Sequence, residues 1–382
     1  MAPRFPPLAG FFGSFRTRIG TGFADHHLVR IAQVSPLHES VPPTEYGGTE
    51  RVVSFLTEEL VRAGHEVTLF ASGDSTTSAT LVPMTGRSLR RDAASVDPVA
   101  QHFVMLERIA RVAAEFDILH YHVDYLHFPI SRRLGIPHVT TLHGQLDAYD
   151  LQPLYEEYSD IPVVSISDDQ RTPVPHANWC ATVHHGLPAD LLSPSSDQGD
   201  YLLFLGRISR EKRADRAIEI ARRAGFPLRI AAKIDESDQP YFEKEIASLF
   251  ELPFVEYLGE VGDDRKESLL GGARALLFPI DWREPFGLVM IEAMACGTPT
   301  IAWDNGSVRE IITDGVSGFI VDSVEASVEA VKRLPTLSRD RIRQEFERRF
   351  TVERMTADYL VLYERLIRTK GRGSVIQQVM RD

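Results

Sequence analysis

Short apolar runs alternate with longer amphipathic segments along most of the chain, and the whole alternation occurs twice. Alternation of this kind is typical of parallel strands joined by helices, whereas an antiparallel sandwich shows closely spaced strands without intervening helices. The pattern therefore predicts an α/β protein that contains two parallel-sheet units.

The first unit begins with a strand at Val29–Val34, and a helix follows the Gly47-Gly48-Thr49 step. Val52, Leu56 and Leu60 recur at a spacing of four residues on one face of this helix, as expected of an amphipathic helix. The other elements predicted for the unit are strands at Val67–Ala71, Ile118–His122, Pro137–Leu142, Val163–Ile166 and Ala181–His184, and a helix near Ala100–Glu115.

The second unit begins with a strand at Tyr201–Gly206, which is followed by a helix after Lys212. Its other predicted elements are strands at Leu228–Ala232, Val255–Leu258, Ala275–Phe278 and Thr300–Ala302, and a helix at Val324–Arg333. A long terminal helix is predicted from apolar residues at helical spacing, namely Met355, Tyr359, Leu362, Tyr363 and Leu366.

These elements divide the chain into five segments. We expect a disordered extension at residues 1–27, a first Rossmann-like domain at 28–192 and a linker at 193–200 that is polar and rich in turn-forming residues. A second Rossmann-like domain follows at 201–345. The last segment, residues 346–370, would form a helix that crosses back to the first domain.

The composition limits the function classes. A chain of 382 residues with 43% hydrophobic residues can form two or three packed domains, and no run of about 18 apolar residues could cross a bilayer. The formal charge of -12 argues against nucleic-acid binding, because phosphate backbones attract proteins with a basic face. The two cysteines, Cys180 and Cys296, do not indicate a disulfide framework. We therefore expect a cytoplasmic protein.

Residues 1–27 include Phe11, Phe12 and Arg16 but lack the apolar core and the small-residue cleavage site of a secretory signal. A disordered extension is our expectation, and a start codon assigned too far upstream would produce the same pattern. Weak peripheral contact with a membrane through the Phe and Arg side chains is the alternative.

The run from Glu284 to Glu292 has the clearest functional pattern, since two carboxylates flank a Phe-Gly step at the expected start of a helix. Gly287 allows the backbone to approach a ligand closely, and the free amides of a new helix attract an anion such as a diphosphate. The carboxylates can accept hydrogen bonds from hydroxyls, Glu284 from a sugar ring and Glu292 from a ribose. The run therefore predicts a sugar-nucleotide site.

A purely structural interpretation of the same run stays open. Leu288, Ile291, Met294 and Ala295 form a stripe suited to packing on a sheet, and both acids could lie in solvent. Glu292 is close to this stripe, however, where an unpaired carboxylate would be costly. That position favours a ligand or a partner for Glu292.

Two further segments could bind phosphate. Arg207 and Lys212 follow a strand and precede a helix, which is where open α/β sheets bind ligands, and both could offset the charge of a diphosphate. Gly47 and Gly48 lie at the start of another helix. The structural alternative for Arg207 and Lys212 is a pair of exposed cations without a ligand. For Gly47 and Gly48 it is a plain turn in which Thr49 caps the helix.

Three histidines are also candidates for a functional role. His143 follows a strand and would project from its carboxyl end into the same crevice. His120 and His122 alternate along another strand, and no cysteine or carboxylate at ligand spacing accompanies them convincingly. We therefore predict no metal site.

In their order and spacing these motifs resemble the retaining glycosyltransferases of family 4, the group 1 glycosyltransferases, from about Val29 to Leu366. The matching segments are Gly-Gly-Thr-Glu-Arg at 47–51, Thr-Leu-His-Gly at 141–144, Gly206-Arg207 with Lys212, the run from Glu284 to Glu292, Asn305–Glu310 and Asp314–Phe319. The resemblance implies a GT-B fold, in which two Rossmann-like domains face each other across a cleft.

The resemblance also implies roles for individual residues. The implied catalytic residues are His143, near the C6 hydroxyl and the reaction centre, Arg207 and Lys212, on the diphosphate, and Glu284, on the transferred sugar. The donor would further contact Gly47, Gly48, Phe286, Gly287 and Leu288, and Glu292 would bind the ribose. One departure occurs at Val183–Leu187, where the family often has an Asn-Gly step and this chain has His185-Gly186. His185 therefore inherits no role.

The implied activity is hexosyl transfer from a nucleotide-diphosphate sugar to an acceptor hydroxyl, with retention of configuration and without a metal or other cofactor. A sugar, a lipid-linked compound or a small molecule could be the acceptor. An internal-return mechanism suits a site without an obvious nucleophile, and a covalent mechanism is the alternative. A nucleotide-sugar epimerase and a non-catalytic sugar-nucleotide-binding protein stay open. A nicotinamide oxidoreductase is disfavoured, because the first strand-helix turn lacks Gly-x-Gly-x-x-Gly.

Overall fold

The computed structural model of the protein describes residues 28–44, 47–195 and 199–379. The extension expected at residues 1–27 lies outside these ranges, as do residues 196–198 of the expected linker. Within the described ranges, no helix is both long enough and apolar enough to cross a bilayer.

The first domain is built on a parallel sheet. Its strands are β1 (Arg30–Val34), β2 (Glu66–Ser72), β3 (Thr80–Thr85), β4 (Ile118–Tyr121), β5 (His138–Thr141), β6 (Val163–Ser165) and β7 (Trp179–Thr182). Its helices are α1 (Gly48–Arg62), α2 (Pro98–Val112), α3 (Phe128–Leu134) and α4 (Leu151–Glu157). The strand order is β3-β2-β1-β4-β5-β6-β7, with parallel pairing throughout.

The second domain has a parallel sheet of the same kind. Its strands are β8 (Leu202–Arg207), β9 (Leu228–Lys233), β10 (Val255–Gly259), β11 (Ala275–Phe278), β12 (Thr300–Trp303) and β13 (Gly318–Val321). The helices in this part of the chain are α5 (Ala214–Ala224), α6 (Gln239–Tyr241), α7 (Asp263–Gly271), α8 (Leu288–Ala295), α9 (Val308–Ile311), α10 (Val324–Arg333), α11 (Arg339–Arg349) and α12 (Val352–Val379). The strand order is β10-β9-β8-β11-β12-β13.

The two parallel sheets and their helices confirm the predicted α/β class. Two strands that the patterns did not predict, β3 and β13, each lie at one edge of their sheet. Pro83 interrupts the apolar run of β3, and proline is tolerated there because an outer strand bonds to one neighbour only. The strand predicted at Ala181–His184 begins at Trp179 and ends at Thr182 instead.

Apolar side chains cover both faces of the second sheet. Leu203 and Leu205 of β8 pack in one core, whereas Leu202 and Phe204 pack in the other. Successive side chains of a strand point to opposite faces, so a strand that is buried on both faces is apolar throughout. The ends of such strands are the places where polar side chains can gather.

Helix α12 returns to the first domain, where Met355 and Tyr359 are buried in one core with Leu56 of α1. The preceding helix α11 packs on the second domain, and its Phe346 is buried in the core of that domain. The domain limit expected after residue 345 therefore falls inside α11.

The two passages of the chain between the domains are hydrogen-bonded to each other. The N–H of Leu187 donates to the carbonyl of Phe350 at 2.9 Å, and the carbonyl of Leu187 accepts from the N–H of Val352 at 2.9 Å. A Cβ atom added to Gly186 would lie 2.2 Å from the carbonyl oxygen of Thr351. This close approach of two backbones requires glycine at position 186.

We expect Gly186→Ala to lower the free energy of unfolding by about 3 kcal/mol, because the new methyl group must separate the two passages. Thermal and urea denaturation would measure the loss. Gly86→Ala is the matched control, since a Cβ at Gly86 would meet nothing within 4 Å. Equal stability of the two variants would contradict the close approach at Gly186.

Candidate active site

A cavity of about 600 Å³ is lined by residues of both domains, and its size suits a small-molecule ligand. Every site residue that the sequence pointed to lines this one cavity. These residues are Gly47, Gly48, His143, Arg207, Lys212, Glu284, Phe286, Gly287, Leu288 and Glu292. The structure thus brings together segments that are far apart in the chain.

Strand topology explains why these segments meet. In the second sheet, β8 lies between β9 and β11, so the chain connections diverge on either side of it, and a crevice forms beyond the carboxyl ends of the strands. Arg207 ends β8, and the Glu284 loop follows β11. In the first sheet, β1 lies between β2 and β4, and the segment after β1 leads to α1 with Gly48 at its start.

Two helices begin at the cavity, one from each domain. Gly287 precedes α8 with a φ of 82°, a conformation that favours glycine. A Cβ atom added to Gly48, at the start of α1, would lie 3.7 Å from Cδ1 of Leu288, at the start of α8. The unpaired amides of both helix starts are therefore close to each other, which creates positive potential for an anion.

Glu284 is buried, with 8% of its surface exposed, and its carboxylate has two partners. The Lys212 ammonium donates to Oε2 of Glu284, and Nε1 of Trp282 donates to the same oxygen at 3.0 Å. Lys212 Nζ also lies 4.5 Å from the centroid of the Trp282 ring, a cation–π distance. The charge of Glu284 is therefore neutralised within the site.

Glu292 is buried in α8 and forms an ion pair with Lys266, whose Nζ lies 2.9 Å from Oε1 of Glu292. The side chains are 6% and 15% exposed, respectively. The apolar stripe around Glu292 indicated that this acid needs a partner. Lys266 itself was missed, because it lies in the polar helix α7, whose sequence does not distinguish it from other surface cations.

Arg207 lies at the cavity beside three carboxylates. Its guanidinium is 2.6 Å from Glu211, 3.6 Å from Asp235 and 3.5 Å from Asp238. These acids hold the planar group in place and offset its charge. Neither Asp235 nor Asp238 was recognised from the sequence, since both lie in the loop after β9, at a distance along the chain from Arg207.

His143 lines the cavity from the first domain. Its Nε2 lies 2.9 Å from Nδ1 of His122, and its ring stacks on that of His185, with the centroids 5.2 Å apart. Loss of hydration lowers the pKa of His143 to about 3, so the ring is neutral at physiological pH. His143 can therefore exchange hydrogen bonds with a ligand but supplies no positive charge.

Both ring nitrogens of His120 and of His122 form hydrogen bonds with protein side chains. Over the described ranges, no three His, Cys, Asp or Glu side chains are grouped so that they could hold a metal ion.

A segment after β12 links the Glu284 loop to the first domain. The N–H of Ser307 donates to the carbonyl of Glu284 at 3.0 Å, and the Ser307 hydroxyl donates to the carbonyl of Phe286 at 2.8 Å. One turn later, the carboxylate of Glu310 accepts from the N–H groups of Asp168 and Asp169 at 2.7 and 2.8 Å. The loop at the cavity is thus tied to a segment that also contacts the other domain.

Two segments of the chain match known protein families. Residues 193–351 match the family Glycosyl transferases group 1, and residues 46–164 match Glycosyltransferase Family 4. A phosphatidyl-myo-inositol mannosyltransferase of Mycolicibacterium smegmatis is 27% identical, over 91% of this chain and 96% of the relative.

Solved structures have the same architecture. AviGT4, a glycosyltransferase involved in avilamycin A biosynthesis, is 24% identical with a TM-score of 0.68, over 89% of this chain and 98% of its own. HepE of Anabaena, solved in complex with UDP-glucose, is 16% identical with a TM-score of 0.66, over 88% and 99% of the two chains. Together the two matched segments cover most of the chain. The protein therefore belongs to the group 1 glycosyltransferases of the family 4 type and has the GT-B fold.

Proposed function

We propose that this glycosyltransferase moves a hexosyl group from a nucleotide-diphosphate sugar to an acceptor hydroxyl, with retention of the anomeric configuration. The pairing of Lys212 with Glu284 in the cavity carries the proposal. A cation for phosphate and a carboxylate for sugar hydroxyls lie side by side there, as a sugar joined to a diphosphate requires. HepE, which has the same fold, binds UDP-glucose.

The diphosphate would lie between the starts of α1 and α8, with Lys212 and Arg207 beside it. Lys212 has three N–H donors, so it can bind phosphate and Glu284 at the same time. Arg207 would turn part of its guanidinium from the neighbouring acids toward the phosphate. Glu292 would accept from the ribose hydroxyls, and Lys266 would keep its carboxylate ionised and oriented.

The chemistry depends on stabilising the departing diphosphate. As the bond between the anomeric carbon and the phosphate oxygen breaks, negative charge grows on the phosphate, and the fixed cation and helix amides stabilise it. The acceptor oxygen then bonds to the anomeric carbon on the same face, and its proton passes to the diphosphate. Lys212 neutralises Glu284 and lowers its nucleophilicity, which favours this internal-return mechanism over a covalent one.

The acceptor would enter from the first-domain side of the cavity, near His143. A sugar, a lipid-linked compound or a small molecule with a free hydroxyl fits this role. The related mannosyltransferase of Mycolicibacterium smegmatis is named for the lipid phosphatidyl-myo-inositol, and a weak contact with a membrane surface would suit an acceptor of that kind. We further propose a cytoplasmic location, where nucleotide sugars are available.

A donor panel tests the proposed function. The protein would be incubated with uridine, guanosine and adenosine diphosphate hexoses, and binding would be measured by thermal shift, since a ligand that binds the folded state raises its melting temperature. We expect the hexose donors of one nucleotide class to raise the melting temperature of the protein. The same donors should be converted to free nucleoside diphosphate. Conversion of the donor to another sugar nucleotide would indicate an epimerase. A higher melting temperature without any turnover would indicate a protein that only binds sugar nucleotides.

We expect Lys212→Ala to lower kcat by about 100-fold or more, because one fixed donor at a developing charge is worth that much. Removing Lys212 also leaves Glu284 buried without its cation, at a cost of about 3 kcal/mol in stability. The double variant Lys212→Ala, Glu284→Gln should recover stability but not activity. Turnover assays and thermal denaturation would measure both effects.

Lys332→Ala is the control for this series, because Lys332 forms an exposed pair with Glu329, and exposed pairs contribute little to stability. Activity of Lys212→Ala close to that of Lys332→Ala would refute the assignment of Lys212 to the diphosphate.

We expect excess chelator to leave activity within about twofold, because Lys212 and the helix amides would supply the positive charge that a metal ion supplies in other transferases. Initial rates with and without EDTA would test this. Complete loss that magnesium or manganese restores would show that the reaction needs a divalent ion.

A further inference from the structure

A continuous chain of hydrogen bonds connects the cavity to the C-terminal helix through the first domain. It runs from His143 Nε2 to His122 Nδ1 at 2.9 Å, from His122 Nε2 to Gln33 Oε1 at 2.8 Å, and from Gln33 Nε2 to the Tyr363 hydroxyl at 3.2 Å. Tyr363 lies 2.6 Å from Nδ1 of His120. Gln33, His120 and Tyr363 are fully buried, so water does not compete for these bonds.

The direction of each bond in this chain follows from its neighbour. Burial lowers the pKa of His122 well below its ordinary value, so its ring is neutral and has one N–H and one lone pair. Oε1 of Gln33 can only accept, and His122 must therefore donate from Nε2. Nδ1 of His122 is then the acceptor, and His143 must donate to it from Nε2.

The second nitrogen of His143 is left with a lone pair. Nδ1 is buried and has no hydrogen-bond partner among the residues that the structure describes. His185, which stacks on this ring, is also neutral, because burial lowers its pKa well below the ordinary value. A buried acceptor without a donor is costly, and a substrate hydroxyl that donates to Nδ1 would remove this cost.

We propose that Gln33 and Tyr363 are positioning residues that hold His143 in the tautomer protonated at Nε2, so that its Nδ1 accepts a hydrogen bond from a substrate hydroxyl. The proposal rests on the proposed function for the identity of the ligand, a neutral sugar. A sugar acid is disfavoured at this position, since its carboxylate has no proton to donate.

Tyr363 gives the C-terminal helix a part in this arrangement. Its hydroxyl oxygen accepts from Nε2 of Gln33 at 3.2 Å, so its own proton is directed to Nδ1 of His120. Nε2 of His120 then donates to Oγ1 of Thr141, 2.8 Å away. The contact between Tyr363 and the Gln33 amide thus keeps Oε1 of Gln33 toward His122. Rotation of that amide would reverse every bond and make Nδ1 of His143 a donor. A contact made by α12 thus selects the hydrogen-bonding role of a residue in the cavity.

The tautomer can be measured directly by long-range proton–nitrogen correlation spectra of protein labelled with 15N-histidine, with His143→Gln to assign the signals. In the unmodified protein, we expect His143 to be neutral and protonated at Nε2. Gln33→Met and Tyr363→Phe should both move its nitrogen signals toward those of an unconstrained mixture of tautomers. Tyr155→Phe is the control, because Tyr155 is buried and its hydroxyl has no partner within the described residues.

An Nδ1-protonated His143 in the unmodified protein would overturn the proposal, and so would unchanged signals in a folded variant. If Gln33→Met fails to fold, the spectra of Tyr363→Phe decide the question. That substitution, made on α12, removes the hydroxyl that accepts from the Gln33 amide. These spectra need no turnover. A failure of the proposed function would instead appear as absent transfer from every donor, with the spectra as expected.

Kinetics provide a second test. Gln33→Met should lower kcat/KM for the donor sugar by roughly tenfold, about the value of one hydrogen bond, and should leave the affinity for the nucleoside diphosphate unchanged. In a His143→Ala background the same substitution should change kcat/KM by less than about twofold, because its effect passes through His143. An equal loss in both backgrounds would show a general structural role and overturn the proposal.

Discussion

The pairing of the two chain passages between the domains, at Leu187, is the constraint on which the rest of the molecule depends. Two backbone hydrogen bonds join Leu187 to Phe350 and Val352, so the outgoing and returning passages of the chain are held side by side. Because α12 begins at this point, it is directed onto the first domain, where Tyr359 and Tyr363 are buried. The two sheets then present the carboxyl ends of their strands to one cavity, as ligand binding in such folds requires.

The charged side chains named above already have partners of opposite charge in the cavity before any ligand binds. Lys212 neutralises Glu284, Lys266 neutralises Glu292, and three carboxylates surround Arg207. Buried ions are tolerated only with such partners, so the pairs explain how the acids can lie in apolar surroundings. A sugar diphosphate would replace part of each pair, because its phosphates match the cations and its hydroxyls match the carboxylates. The same side chains can therefore serve stability and recognition.

The sequence predicted the two sheets and the segments at the cavity, because strand periodicity and glycines at helix starts are local signals. It did not predict Lys266 or the acids beside Arg207, since their importance comes from contacts between distant segments. His185 stood out only as a departure from the family pattern, and the structure places it against His143. Gln33 could not be identified, because one polar residue in a buried strand does not reveal its partners.

Contacts between the domains also reach the Glu284 loop. A Cβ atom on Gly306 would lie 2.3 Å from the backbone nitrogen of Glu284, so this glycine allows the loop to pack tightly against the segment before α9. Glu310, within α9 itself, accepts from backbone amides of the first domain. The segment around α9 is therefore in direct contact with both the first domain and the loop that carries Glu284.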